Sequence, residues 1–323
     1  MRVLAVNAGS TSLKLHLVDG DHATPVDELV DADAVGHRVV HGGARFREPV
    51  PIDDDVERAI DELSVIAPLH NRPALDAIRE ARRALPDVPH VAVFDTAFHA
   101  TLPARASTYA VPERWREAWG VRRYGFHGLS VEWAASQLRV SRLVVCHLGG
   151  GCSITAVLDG RSVDTTMGFT PLEGLVMATR SGSVDPGLLL WLQRHEGVSV
   201  DEMADALEHE SGLLGLAGTG DMRELLARED DEARLALAVY VHRTRAGVAA
   251  MVASLGGLDA LVFTGGVGER SARVRQLVCE GLEHLGVGVP GSHVEVHTVT
   301  AREDIEIARQ VRALLTAEGV ENL

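Results

Sequence analysis

Lys14 is the first side chain in this sequence whose type and position suggest chemistry. Of the 31 basic residues, 30 are arginine and Lys14 is the one lysine. A chain that uses arginine wherever positive charge will serve keeps a lysine where a compact ammonium is needed and a planar guanidinium will not do. Lys14 lies in Arg2-Val-Leu-Ala-Val-Asn-Ala-Gly-Ser-Thr-Ser-Leu-Lys-Leu-His-Leu-Val-Asp-Gly20. The same 19-residue layout returns in Arg142-Leu-Val-Val-Cys-His-Leu-Gly-Gly-Gly-Cys-Ser-Ile-Thr-Ala-Val-Leu-Asp-Gly160. At an offset of 140, Arg2 matches Arg142, Gly9 matches Gly149, Asp19 matches Asp159 and Gly20 matches Gly160. Glycine and serine in such turns let backbone N–H groups converge on an anion with no Cβ in the way, and the hydroxyls add donors. A third cluster, Thr264-Gly-Gly-Val-Gly-Glu269, follows the apolar run Ala260 to Phe263. It leads into an amphipathic helix expected over Ser271 to Leu285, whose N-terminus would favour a nearby anion. Each cluster alone is an ordinary turn signal. Two matched hairpins and one strand–glycine–helix unit together point to the phosphates of a nucleotide.

The elements that must hold these residues follow from the flanking pattern. Val3 to Val6 reads as a buried strand and Leu13 to Val18 as an alternating one, joined by the small-residue turn Ala8 to Ser12. The repeated hairpin argues for duplicated domains, each offering a turn to a shared cleft. Length agrees, since 323 residues at about 150 per domain gives two. The long apolar helix around Ala233 to Leu255 stops at Gly256-Gly257 and is read either as core or as a contact between subunits. A C-terminal helix is expected near Ile305 to Thr316.

Composition narrows the classes of partner. With 46% hydrophobic and 24% charged residues the chain has ordinary globular content. A net charge of −15 repels nucleic-acid backbones and anionic lipids, so an anionic substrate needs a local basic pocket on an acidic body. No apolar run reaches the length of a membrane span, and Met1 to Leu4 reads as entering a strand rather than a signal peptide. Cys146, Cys152 and Cys279 form no Cys-x-x-Cys pair, which fits a reducing, cytoplasmic setting. Competing motifs fail: the lysine follows Leu13 rather than the glycine a Walker A loop requires, and there is no Gly-x-Ser-x-Gly or His-Glu-x-x-His. His37 and His41 are four apart, but Gly36 to Gly43 reads as strand and turn, not as a helical zinc pair. The acidic run Asp53 to Asp55 reads as a solvated face.

Several blocks carry a resemblance. Asn7-Ala-Gly-Ser-Thr-Ser-Leu-Lys14 and Gly36-His-Arg-Val-Val-His-Gly-Gly43 resemble the short-chain carboxylate kinases, the acetate kinases above all. So do Pro68-Leu-His-Asn71, Phe94-Asp-Thr-Ala-Phe-His99, Tyr124-Gly-Phe-His-Gly128 and Met167-Gly-Phe-Thr-Pro-Leu-Glu-Gly174. Thr179 to Pro186, Ser211 to Gly215 and the Gly265 cluster complete a series that runs in order from residue 2 to about residue 310. The resemblance implies the actin and hexokinase superfold: an α/β architecture of duplicated actin-like (ribonuclease H-like) domains around a central nucleotide cleft. The expected division is 1–97 plus 306–323 as a trimmed N-terminal domain and 98–305 as the C-terminal nucleotide-binding domain.

Carried over position by position, the resemblance implies the following roles. Asn7 and Glu303 lie near magnesium, with manganese as a substitute, and Lys14 lies near the nucleotide phosphates. Asp95, His127 and Arg180 are the catalytic set, His127 and Arg180 stabilising the transition state. Arg38 holds the substrate carboxylate, and Val40, Leu69, Phe126 and Pro171 wall a small acyl pocket. His147, Leu148, Gly149, Gly150 and Gly151, then Asp221, Met222 and Arg223, then Gly265, Gly266, Val267, Gly268 and Glu269 bind ATP or ADP. The implied reaction is phosphorylation of acetate or propionate to the acyl phosphate, and its reverse, by a cytoplasmic homodimer with no nucleic-acid or membrane partner.

Physical chemistry suits that set. A short carboxylate is already ionised at neutral pH, so no base is needed, and the task is to bring one anion to another and neutralise the charge that develops. Asp95 is therefore expected to serve magnesium or its waters rather than to deprotonate the substrate. Two readings compete: a kinase of the same superfold acting on a hydroxyl, with Asp95 as base, and a non-catalytic nucleotide-binding scaffold. Paired arginines argue against the first, because their forks suit a carboxylate. Retention of Lys14, Asp95, Arg180 and Glu303 argues against the second. The chain departs from the family pattern at Gly150, where asparagine is usual, at Arg270, again for asparagine, and in having only 15 residues between Gly20 and Gly36.

Overall fold

Strand β1 (Arg2–Ala8) buries residues on both of its faces, so it takes the centre of a sheet rather than an edge. The computed structural model describes residues 1–9, 13–64 and 68–321, with the side chains of 68–70 and 318–321 outside the described set. β1 is followed by β2 (Leu13–Asp19), β3 (His22–Val26), β4 (Ala34–Val39) and β5 (Val50–Pro51). Helices α1 (Asp54–Leu63) and α2 (Pro68–Ala84) then lead to β6 (His90–Phe94). Their order across the sheet is β3-β2-β1-β4-β6-β5, with β1, β4 and β6 mutually parallel. Short helices α3 (Ala104–Ser107) and α4 (Glu113–Trp119) and then α5 (Gly128–Ser136) lead to the second lobe.

The second lobe repeats the plan. It contains β7 (Arg142–Leu148), β8 (Cys152–Leu158) and β9 (Arg161–Thr165), then α6 (Pro186–Trp191), α7 (Val200–His209), α8 (Gly212–Ala217), α9 (Met222–Ala227) and α10 (Asp231–Leu255). β10 (Ala260–Thr264), α11 (Gly265–Arg270), α12 (Ala272–Cys279), β11 (Glu295–Thr298) and α13 (Glu303–Glu321) complete it, though α13 packs on the first sheet. The sheet order is β11-β10-β7-β8-β9. Read from the meander outward, both sheets run third, second, first, fourth strand and then a further parallel strand, which is the duplication expected from the repeated hairpin. The lobes are unequal in their connections. Residues 27–33 join β3 to β4 with no helix, whereas β9 and β10 are separated by five helices.

Three expectations change. In the first hairpin Ala8 pairs with Leu13, and in the second Leu148 pairs with Cys152, so the second turn is one residue shorter. Asn7 faces Lys14 and His147 faces Ser153, so the counterpart of Lys14 is Ser153 and the offset of 140 does not carry across the turn. Asp19 ends β2 opposite Arg2, while Asp159 occupies a left-handed turn position at φ 48°. Ser10, Thr11 and Ser12 of the first turn lie outside the described residues. Secondly, the cluster Gly265 to Glu269, expected to lead into a helix, forms a helix of its own, α11. Thirdly, the helix expected over Ser271 to Leu285 ends at Cys279. The apolar pattern runs past that end because Leu282 and Leu285 still pack on the second core.

Alternation along the strands decides which residues reach the cleft. Val3 and Ala5 of β1, Ala34 of β4, and Val91 and Val93 of β6 pack under α13 with Ile305, Ile307 and Val311. The same alternation, through Gly36 in β4, brings Asn7, Arg38 and Asp95 to the same face at the carboxyl ends of three parallel strands. Gly36 lets α13 come close: a Cβ there would lie 2.5 Å from Ile307 Cγ2 and 2.8 Å from Val311 Cγ2. Likewise Leu143 and Val145 of β7 pack beneath α5, so His147 points to that helix. The helix α10 is core, with Tyr240, Val248 and Met251 buried, and it ends at Gly256 with φ 69° as expected from sequence.

Candidate active site

Residues at the ends of β1, β4 and β6 and at the start of α13 form one largely buried ionic network. Arg38 lays its fork on Asp95, with Nη2 donating to Oδ2 at 2.6 Å and Nε to Oδ1 at 3.1 Å. Its Nη1 donates to Asn7 Oδ1 at 3.0 Å and stands 3.8 Å from Glu303 Oε2. Asn7 Nδ2 donates to the same Glu303 oxygen at 2.8 Å. Burial pushes the Asp95 carboxyl up, against the pull of Arg38, and neighbouring Glu303 adds to that push. Burial also disfavours the Glu303 charge, but Arg38, His147, Asn7 and Lys14 outweigh it and hold this carboxyl below its usual range. Lys14, exposed on β2 directly across from Asn7, thus lies within electrostatic reach of Glu303.

A second group faces it from the other lobe. His127 sits at φ 60°, an uncommon conformation for a non-glycine residue, just before α5. The next residue pins it: Gly128 N donates to Asp95 O at 2.9 Å, and a Cβ at Gly128 would overlap that carbonyl. His127 Nδ1 shares a hydrogen bond with Ser153 Oγ at 3.0 Å, and His147 Nδ1 shares one with Ser130 Oγ at 2.8 Å. The two imidazoles stack with centroids 4.1 Å apart. Burial, then His147, Arg38 and Arg180, hold His127 well below the ordinary histidine range, so it is neutral at neutral pH. Burial also lowers His147, opposed by Glu303. Arg180 Nη1 donates to Pro171 O at 2.7 Å, and among the described residues no carboxylate pairs with this guanidinium. A Cβ at Gly151 would lie 2.8 Å from Arg180 Nη2 and 3.1 Å from His127 Nε2, so both groups converge over that glycine.

The remaining expected residues fall around these two groups. Gly149 and Gly151 close the β7–β8 turn through Gly149 N to Gly151 O at 2.9 Å. Gly150 projects into open space. Gly265, at φ 77°, lies against the carbonyl of Leu148, which brings the start of α11 to the hairpin turn. Glu269 Oε1 accepts from Ala301 N at 2.9 Å, two residues before Glu303. Leu148 is core, Gly266 is open, Gly268 is buried and Val267 packs on the second core. Asp221 caps α9 and pairs with exposed Arg223, whereas the Met222 side chain is buried in the core. Val40 and Phe126 share one apolar cluster although they come from different lobes, and Pro171 is buried. The Leu69 side chain lies outside the described residues. Ser130 and Ser153, which orient the imidazoles, and Thr264, whose buried hydroxyl has no partner among the described residues, were not singled out from sequence. The register and the three-residue step from His127 to Ser130 were the available signals.

The family model of the acetokinases matches residues 21–309. The chain belongs to the acetokinase family. An acetate kinase of Nostoc punctiforme is 50% identical over 283 residues, 84% of this chain and 69% of that protein. The crystal structure of a propionate kinase from Francisella tularensis superposes with a TM-score of 0.89 at 34% identity, covering 96% of this chain and 98% of that one. The acetate kinase of Porphyromonas gingivalis gives a TM-score of 0.89 at 31% identity, covering 97% and 99%. A putative N-acetylmannosamine kinase from Listeria monocytogenes, 13% identical with a TM-score of 0.52 over 98% of this chain and 100% of that one, shares the fold alone. This acetokinase chain contains no described helix long and apolar enough to cross a membrane.

Proposed function

We propose that this acetokinase transfers a phosphoryl group between ATP and acetate, in either direction, at the junction of the two lobes. The observation that carries the reading is a half-buried guanidinium with no carboxylate partner among the described residues, Arg180, converging with a neutral imidazole, His127, over Gly151. Partial withdrawal from water disfavours the charge of such a cation, and an arriving anion offsets that cost. A transferring phosphoryl group supplies that anion, and its equatorial oxygens accept from Arg180 and from His127 Nε2. Arg38 holds the acceptor carboxylate beside Asn7, with Asp95 fixing its fork. Val40, Phe126 and Pro171 wall the acyl group, and propionate is admitted at a modest disadvantage, since one methylene is worth about 1–3 kcal/mol.

The nucleotide lies along the glycine turn Gly149 to Gly151 and the glycine-rich start of α11, Gly265 to Glu269, with His147, Leu148 and the segment Asp221 to Arg223 beside it. Lys14 reaches its phosphates from the first lobe. The donor set fits a magnesium ion that arrives with ATP: one carboxylate held ionised, Glu303, and one amide oxygen, Asn7, with no three-group cage among the described residues. When bound, the metal neutralises phosphate charge. Manganese is the expected substitute. Asp95, both of whose oxygens engage Arg38, orients that arginine instead of acting as a base.

The lobes correspond to 1–97 with 306–323 and to 98–305, a division supported by α13 packing on β1 and β4. A homodimer is supported by α6, where no residue is buried and Leu188, Leu190 and Trp191 are exposed together. Hydroxylamine trapping of the acyl phosphate, with ATP, magnesium and a panel of short carboxylates, tests the reaction. Hydroxamate from acetate is expected, and its absence with phosphorylation of a hydroxyl acceptor would replace this reading.

A further inference from the structure

Four backbone polar groups between Thr166 and Phe169 are held by side chains that take no part in the proposed chemistry, and the Gly168 carbonyl is held by two backbone N–H groups. Arg123 Nη1 donates to Thr166 O at 3.0 Å and to Met167 O at 2.9 Å. Tyr124 N and Gly125 N donate to Gly168 O at 3.0 and 3.2 Å. Phe169 N donates to Tyr109 Oη at 3.0 Å, and His41 Nε2 donates to Phe169 O at 3.1 Å. The tautomer of His41 is fixed, because its Nδ1 accepts from Gly43 N at 2.9 Å. The next carbonyl in use is Pro171 O, which accepts from Arg180 at 2.7 Å. Glu173 ties the clamp together, accepting from Arg123 Nη2 at 2.6 Å and from the Tyr109 hydroxyl. The Arg123 guanidinium also lies 5.5 Å from the centroid of the Tyr109 ring.

We propose that Tyr109, Arg123 and Glu173 are positioning residues for the phosphoryl-transfer step, acting through the Thr166–Pro171 segment to set the Pro171 carbonyl on which the Arg180 guanidinium is aimed. Among the described residues Arg180 has no carboxylate to orient it, and the acceptor its fork meets is that carbonyl. The carbonyl in turn depends on a loop with no helix or strand of its own between Thr166 and Asp185. Holding it needs partners that do not move, and the clamp has them. Tyr109 is half-buried with its phenol pushed up by burial and by Glu173, so it stays a neutral hydroxyl that can accept from Phe169 N while donating to the carboxylate. Glu173 accepts on both oxygens, and Arg123 Nη1 donates to two consecutive carbonyls of the loop. Loosening any member should leave ATP bound but the transition-state donor misdirected. This inference rests on the role given to Arg180 above.

The test is Tyr109→Phe, with Glu173→Gln as a second variant that keeps the shape of its side chain, each followed by steady-state kinetics, thermal melting and amide exchange over residues 166–175 of the whole protein. For Tyr109→Phe, kcat should fall about tenfold with KM for ATP changed less than twofold, and exchange at Phe169 should accelerate. On an Arg180→Lys background the same substitution should change kcat less than twofold, because the two residues act as one unit. An unchanged kcat, an unchanged exchange rate at Phe169, or an equal tenfold loss on both backgrounds would overturn the proposal. Failure of the unsubstituted protein to form acyl phosphate would instead overturn the reaction assignment, while exchange at Phe169 would still report whether the clamp holds the loop.

Discussion

Substituting Gly36 by alanine tests how the distant helix α13 delivers Glu303 to the site. The added methyl would lie 2.5 Å from Ile307 Cγ2 and 2.8 Å from Val311 Cγ2. Ordinary carbon–carbon contact is about 3.5–4.0 Å, so the helix must withdraw by roughly 1 Å. Ile307 and Val311 are fully buried, and their branched methyls have no other rotamer to occupy within a helix. Overpacking of this kind costs about 1–3 kcal/mol, which for a chain of 323 residues lowers the melting temperature by roughly 1.5 °C for each kcal/mol. The kinetic effect should be larger. Glu303 lies one helical turn before Ile307, and Arg38 lies two residues after Gly36, so withdrawal opens the Asn7–Glu303–Arg38 contacts directly. A misplacement of about 1 Å at such a site costs on the order of a hundredfold in rate. Thermal melts paired with initial rates over a magnesium titration measure both effects. Adding Ile307→Ala, which removes the obstructing methyl, should restore much of the rate while lowering stability further. Wild-type melting and wild-type kinetics for Gly36→Ala alone would refute the idea that close approach of α13 sets the site.

Arg180→Ala should lower kcat by roughly 10³–10⁵ with little loss of melting temperature, because no carboxylate is left stranded. Arg38→Ala should raise KM for acetate and also destabilise the fold by about 3–5 kcal/mol, since it strips a buried carboxylate, Asp95, of its partner; urea melts separate the two variants. Gly150→Asn should be accommodated, for a Cβ there meets nothing within 4 Å, and the added amide should lower KM for ATP by up to about tenfold; a rise in KM would mean that the shorter turn binds phosphate in its own way. Acid should destabilise the protein below about pH 6.5. Burial pushes His37 down to about 3 and His41 and His99 to about 4, so the unfolded chain takes up protons that the folded one refuses. Each such histidine costs about 1.4 kcal/mol per pH unit in that window, opposed by Glu132, which burial and Glu306 push up to about 7. Urea melts at pH 7 and 5.5 that give the same stability would contradict this.

The strands were legible because alternation and turn residues are local: β1, β2, β7 and β8 lie where the apolar runs and glycines put them, and α10 ends at the glycine that marks its stop. The ionic network was legible as a set of residue types, but not as a geometry. Nothing in Gly36 announces that its missing side chain accommodates a helix far along the chain. Ser130 and Ser153 look like any other serines until the register sets Ser153 opposite His147. The α12 boundary failed for a different reason. Leu282 and Leu285 keep helical spacing because the core needs them, although the chain turns at Gly281, where the Arg245 guanidinium leaves no space for a Cβ.

The first sheet borrows its covering from the far end of the chain, and this matters during synthesis. The face formed by Val3, Ala5, Ala34, Val91 and Val93 is closed by Ile305, Ile307 and Val311. Some two hundred residues are translated between the last strand of that face and the helix that seals it, roughly 10–40 s at about 5–20 residues per second. For that interval the nascent N-terminal sheet presents an apolar surface beside parallel strands, the state most prone to wrong association. Cellular yield should therefore respond to translation speed and to chaperones that shield nascent chains, and truncations that remove α13 should aggregate rather than leave a free-standing first lobe.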